Sequence, residues 1–129
     1  MTADRRPVVE RTRAQRAQLA LLLEVCGTPK PGNVDRHREY PDLRFEHFLA
    51  GAIGAGEGLA LAAGERPGAP DAPGDGEHAG VGRAFERAVA GMSAQEGGNT
   101  QFGALLVVVP LVRAAALGDL SPGGIAEVV

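Results

Sequence analysis

The stretch Gly97–Leu117, GGNTQFGALLVVVPLVRAAAL, constrains this chain more than any other. After two glycines, an Asn and a Thr it runs into apolar residues interrupted only by Pro110 and a single charge, Arg113. The pattern predicts a buried helix beginning near Thr100. Thr100 at the N-cap can accept a hydrogen bond from an early backbone N–H, while Gly97 and Gly98 let the preceding chain turn sharply and approach a ligand. A helix end of this kind carries unpaired N–H donors and the positive end of a dipole, where a phosphate can sit. A glycine turn ahead of an ordinary core helix is the plain alternative.

A second polar motif, TPKPGNVD at Thr28–Asp35, bears on that choice. Prolines on both sides of Lys30 stiffen the segment and bias the residues before them toward extended geometry, so it is neither helix nor central strand. A stiff loop aims its side chains. Lys30 can meet phosphate oxygens, Asn33 offers both donor and acceptor, and Asp35 can bind a divalent cation through oxygen. A rigid surface turn is the competing reading. Lys30 is the only lysine among 13 basic residues, and Asn33 and Asn99 are the only asparagines. All three fall in the two motifs, and a lone ammonium in an arginine-writing chain is a point charge where guanidinium is a fork.

Ahead of this loop, Glu10–Cys26 has Ala14, Ala17, Leu21, Leu22 and Val25 at helical spacing, with Gly27 and Pro29 as the stop. Glu24 then lies in the last turn, where a carboxylate opposes the helix dipole. Exposure is the usual explanation, but facing the next loop it can hold a cation or a ligand hydroxyl. Residues 1–9 read as a frayed lead-in and Arg36–Pro41 as an irregular connection. Asp42 reads as the N-cap of a helix to about Ala62, with Phe45, Phe48, Leu49, Ala52, Ile53 and Leu59 inside. Gly51, Gly54, Gly56 and Gly58 lack the strand and spacing of a dinucleotide fingerprint, so close helix contact accounts for them better. Gly64–Gly80 reads as a mobile surface loop, with His78 solvated in it. A helix over about Val81–Ala94 follows, and Ser121-Pro122 opens another after Gly118. No apolar/polar alternation supports a sheet. The expected fold is all-α: a multi-helix bundle around a buried helix at about residues 100–117.

Composition narrows the function classes. A net charge of −3 gives no footing for nucleic-acid binding, and a single cysteine, Cys26, forms no intrachain disulfide. The N-terminus has no apolar signal core, and Ala104–Val112 is too short to span a membrane. With one cysteine, the expected setting is reducing and cytoplasmic, with no nucleic-acid or membrane partner. His37 and His47 match no familiar zinc spacing.

Three blocks, LLLEVCGTPKPGNVD (Leu21–Asp35), DLRFEHFLAGA (Asp42–Ala52) and GGNTQFGALL (Gly97–Leu106), together resemble the triphosphoribosyl-dephospho-CoA synthases. That all-helical family has an E-V-x-x-T-P-K-P-G-x-V-D segment and a later G-x-N-T-x-x-G segment. Glu24, Lys30, Pro31, Gly32, Asp35, Asn99, Thr100 and Gly103 match it, whereas Gln101 and Phe102 stand where relatives commonly have His and Lys. The resemblance implies transfer of the triphosphoribosyl group of ATP to 3′-dephospho-CoA, or a related acceptor in an archaeal-type branch, with release of adenine and the help of a divalent cation such as Mg2+. It implies catalytic roles for Glu24 and Asp35, which also hold the metal, and nucleotide contacts from Lys30, Gly32, Asn33, Gly98, Asn99 and Thr100. Family members are longer, so the chain is expected to be the N-terminal part of the family domain; a homo-oligomer is compatible with it. The rival readings are a nucleotide-binding helical protein without catalysis and a helical interaction module.

Overall fold

Helix α1 (Arg13–Cys26) begins at a reciprocal cap: Thr12 Oγ1 accepts from the Gln15 N–H at 3.1 Å, and Gln15 Oε1 accepts from the Thr12 N–H at 2.9 Å. Its buried stripe, Ala14, Ala17, Leu21 and Val25, follows the helical period. In the computed structural model, which describes residues 10–66, 69–73 and 80–129, this helix lies against a long broken one. The single helix expected from Asp42 to Ala62 is two, α2 (Phe45–Gly54) and α3 (Gly56–Ala63), joined at Ala55. It also starts later than Asp42. Tyr40 and Leu43 exchange backbone hydrogen bonds at 3.0 and 3.1 Å around Pro41-Asp42, which keeps those residues in a turn. The Phe45 N–H then finds Glu39 Oε1 at 3.3 Å, and the Arg44 N–H finds His47 Nδ1 at 3.1 Å. Ile53, expected inside, is 62% exposed, while Ala52 and Leu59 are fully buried.

Two contacts fix the direction of this pairing. The Arg13 N–H donates to Glu65 Oε1 at 2.9 Å, and Gln18 Nε2 donates to the Ala52 and Ile53 carbonyls at 3.3 and 3.1 Å. The α2–α3 pair therefore runs antiparallel to α1, and the C-terminus of α1 lies at the same end as the start of α2. Helix α4 (Val81–Met92) packs antiparallel across the other side with almost no side chain between. A Cβ on Gly54 would lie 2.1 Å from the Gly91 carbonyl oxygen, and one on Gly91 would lie 1.9 Å from that of Gly54. Gly58 meets the backbone of Ala88 in the same way. These glycines serve a backbone-to-backbone crossing, with Glu57 and Arg87 paired at its edge at 2.6 Å.

Helix α5 (Phe102–Leu117) closes the bundle with Leu105, Val109 and Val112, over a core that Leu59, Met92 and Leu21 fill with alanines. It is buried on one face only. Leu106 and Val107 are 52% and 59% exposed, so the expectation of an enclosed central helix holds for half its circumference. Pro110 removes one N–H from its ladder, and Arg113 is buried. Ser121 caps α6 (Pro122–Val128) by accepting from the Gly124 N–H at 3.1 Å.

A segment of the expected loop at Gly64–Gly80 is a short antiparallel ribbon, β1 (Glu65–Arg66) with β2 (Ala69–Pro73). It leaves the architecture all-α. The lead-in at residues 1–9 and His78 lie outside the described residues. Among the described residues no single helix is long and apolar enough to cross a membrane.

Candidate active site

The loop between α1 and α2 is organised by one carboxylate. Asp35 is 3% exposed; its Oδ1 accepts from the His37 N–H at 2.8 Å and its Oδ2 from the Lys30 N–H at 3.0 Å. Asp35 and Arg38 exchange backbone hydrogen bonds at 3.0 and 3.2 Å, and the Asn33 N–H donates to the Lys30 carbonyl at 3.0 Å. Val34, 2% exposed, anchors the loop from within. Gly32 has φ +80° with nothing near a notional Cβ, so the backbone alone calls for glycine there. Its carbonyl accepts from the Tyr40 hydroxyl at 3.1 Å, and the Thr28–Pro29 peptide is cis. The N–H groups of His37 and then Lys30 hold the Asp35 carboxyl below its ordinary range, against the opposing effect of burial.

With its N–H on Asp35, Lys30 turns its ammonium back to α1, where it pairs with the Glu24 carboxylate. The lysine side chain is 19% exposed and the glutamate 53%. Glu24, Lys30 and Asp35 are thereby joined through one residue. Thr28, Pro29, Lys30, Pro31, Asp35, His37 and Arg38 line a cavity of about 220 Å³ beside them. Asn33 is exposed on the turn and does not line it. Arg38 and His37 do, and the sequence reading missed both: one lay in a segment read as a plain connection, the other was weighed only as a zinc ligand.

The second motif joins α4 to α5. Gln95 folds that loop, its Nε2 donating to the Met92 and Gly98 carbonyls at 2.9 and 2.7 Å and its Oε1 accepting from the Gly97 N–H at 2.6 Å. Gly98 has φ +62°, and Gly97 lies so close to His47 that a Cβ would stand 2.6 Å from the ring. The expected cap is displaced by one residue. Gln101 (φ −136°, ψ 27°) takes the N-cap position without a side-chain cap and delays the helix to Phe102, whose N–H is taken instead by Asn99 Oδ1 at 3.1 Å and not by Thr100.

Gly97 against His47 and Thr100 against Gly51 set this loop on α2, at the end of the bundle where α1 finishes. Gly98, Asn99 and Thr100 are thus grouped at the start of α5, at the same end as Glu24, Lys30 and Asp35, though the cavity beside Lys30 takes none of its lining from residues 97–101. A wider apolar groove of about 470 Å³ lies between α2 and α4. Its one long polar side chain, Gln95, is turned into its own loop. Among the described residues no group of three or more His, Cys, Asp or Glu side chains is placed to hold a metal ion.

The family model for CitG, ATP:dephospho-CoA triphosphoribosyl transferase, matches residues 10–129, a span that takes in both loops and every helix. No curated protein and no solved structure gives a significant match. The family's reaction moves the triphosphoribosyl group of ATP to dephospho-CoA, with ATP as the donor substrate. The lone lysine with its two carboxylates and the later Asn-Thr motif therefore sit in a chain that belongs to the ATP:dephospho-CoA triphosphoribosyl transferase family.

Proposed function

We propose that the Glu24–Lys30–Asp35 loop and the start of α5 are the two sides of a single ATP site, and that this chain's own residues carry the family's reaction there. In that reaction the bond between the ribose carbon and the adenine nitrogen breaks, and adenine leaves with the electron pair. An acceptor hydroxyl forms the new carbon–oxygen bond and gives up its proton. Positive charge builds on the sugar, and a nearby carboxylate lowers its energy. Asp35 suits that role because its carboxyl stays ionised, held by two N–H donors. Glu24 suits the other role. A triphosphate draws the Lys30 ammonium toward its oxygens, and the released glutamate orients the ribose and takes the hydroxyl's proton. Asn33 and Gly32 form the rim of this side, and the Asn99–Thr100 end of α5 receives phosphates.

A divalent cation enters this reading with the triphosphate, as a component of the substrate. Each Asp35 oxygen accepts one N–H and keeps a lone pair, and Glu24 comes free when Lys30 turns to the triphosphate, so these two carboxylates are the oxygens this chain offers the cation. The observation that carries the reading is the double engagement of Lys30, whose N–H holds Asp35 beside it in the wall of the cavity while its ammonium reaches back to Glu24 on α1.

The test is adenine release from Mg·ATP, followed by chromatography with and without 3′-dephospho-CoA. Release that depends on the acceptor is the expected result. ATP binding with no adenine formed under either condition rejects catalysis and leaves the nucleotide-binding alternative.

A further inference from the structure

Gln101 is 5% exposed, and its side-chain Nε2 is buried with no hydrogen-bond partner among the described residues. A bare buried donor is costly, and a neutral glutamine can be replaced by an apolar side chain of similar shape. Its setting shows what it is poised to do. Gln101 Oε1 lies 3.4 Å from Thr100 Oγ1, and both rest on the backbone of α2. A Cβ on Gly51 would stand 2.4 Å from Thr100 Oγ1 and 3.2 Å from Gln101 Oε1, so a glycine is needed beneath the pair. The Gln101 N–H donates to Met92 Sδ at 3.1 Å, which pins the main chain at this point.

The oxygen and nitrogen of a side-chain amide exchange places by a half-turn that leaves its shape unchanged. With Oε1 toward Thr100, the hydroxyl donates inward and the amide nitrogen is left over. With Nε2 toward Thr100, the nitrogen has its acceptor, the amide oxygen takes the partnerless position, and the threonine proton must point elsewhere. The second arrangement satisfies the group that is harder to leave bare. Thr100 is only half-buried, so its proton has somewhere to go. Further along the chain, the N–H groups of Gly103 and Ala104 have no hydrogen-bond partner among the described residues, and the space beside Gly103 is open. They lie in the first turn of a 16-residue helix, at the positive end of its dipole.

We propose that Gln101 is a positioning residue for the triphosphate of ATP: it holds the Thr100 hydroxyl as an outward donor, which joins the Gly103 and Ala104 N–H groups on phosphate oxygens. The role rests on the reading of the α5 start as the phosphate end of the ATP site. A niche made only of donors suits phosphate, which only accepts, and gives the adenosine moiety no comparable handle.

The experiment is titration calorimetry of the full chain with Mg·ATP and with Mg·tripolyphosphate, on wild type, Gln101→Leu, Thr100→Val and the double variant, beside the Tm of each without ligand. Each single variant is expected to weaken both ligands roughly tenfold. The double variant should be no weaker than either single one, because the two side chains act as one donor. Gln101→Leu should keep or raise the Tm, since it removes from the interior an amide that can pair only one of its two ends there. The proposal is overturned by wild-type affinity in Gln101→Leu, by losses that multiply to roughly a hundredfold in the double variant, or by a Gln101→Leu chain that unfolds or loses Tm. Wild-type protein that binds Mg·ATP yet ignores tripolyphosphate overturns it too, with the ATP site intact. Wild-type protein that binds neither ligand and releases no adenine overturns the ATP site itself, and the role of Gln101 with it.

Discussion

Lys30 and Asp35 are tied by the main chain of one and the side chain of the other: the Lys30 N–H donates to Asp35 Oδ2 at 3.0 Å, while the lysine ammonium reaches away to Glu24. The shape of the loop therefore depends on the aspartate, and its charge toward a ligand depends on the lysine tip. The two functions separate under mutation.

Lys30→Ala removes the ammonium and leaves the N–H that Asp35 accepts. The lost pair with a half-exposed Glu24 is a surface interaction, so stability should change by less than about 1 kcal/mol and helicity by circular dichroism should stay the same. Affinity for Mg·ATP should drop roughly tenfold or more, as loss of a charge-assisted phosphate contact requires. Unchanged affinity by calorimetry removes Lys30 from the site.

Asp35→Asn puts an amide where two N–H groups converge, so it should lower both the urea midpoint and adenine release. The sign of its pH dependence follows from the carboxyl's position below its ordinary 3.8. The folded state binds that proton less readily than the unfolded chain, so the carboxylate's stabilisation is fully present above the ordinary value and is lost as pH falls through the lowered one. The difference in midpoint between wild type and variant should be constant around about pH 7 and narrow only below about pH 4. A difference that persists in acid assigns the effect to shape and not to charge.

Two glycine-to-alanine changes should differ in size. Gly32→Ala meets no neighbour and has only its φ of +80° against it, a cost of about 1 kcal/mol. Gly54→Ala drives a methyl into the Gly91 carbonyl and must push α2 and α4 away from each other, at about 2 kcal/mol or more. Equal losses in urea unfolding contradict the crossing geometry.

The displaced cap gives a third contrast. Asn99→Ala removes the acceptor for the Phe102 N–H and should cost about 1 kcal/mol. Thr100→Ala leaves that hydrogen bond in place and should cost less in the unliganded protein. The reverse order, measured by denaturant unfolding, restores Thr100 as the cap.

The helices were legible wherever burial follows a single period. The stripe Ala14, Ala17, Leu21, Val25 and the start of α6 at Ser121-Pro122 lie where the residues place them. The break at Ala55 and the late start of α2 were not, because they come from the Gly54–Gly91 approach and the Tyr40–Leu43 turn, which depend on chain brought from elsewhere. Residue types marked Glu24, Lys30 and Asp35 as unusual, and the structure brings them together. The direction of the Asp35 carboxylate was hidden, since a loop sequence does not say which N–H groups it folds beneath. Gln101 stood out only as a departure from the family's motif, and its burial was hidden for a related reason: it rests on Gly51, in a helix far earlier in the chain.

The crossing at Gly54 and Gly91 has a consequence for how such a chain can change. Main chains in direct touch contain no rotamer that can relax, so the offset between α2 and α4 behaves as a fixed gauge. One end of that gauge holds the proline-stiffened loop and the other carries the run into α5. New acceptors can be accommodated by rewriting either loop, but the span between them stays as the glycines set it.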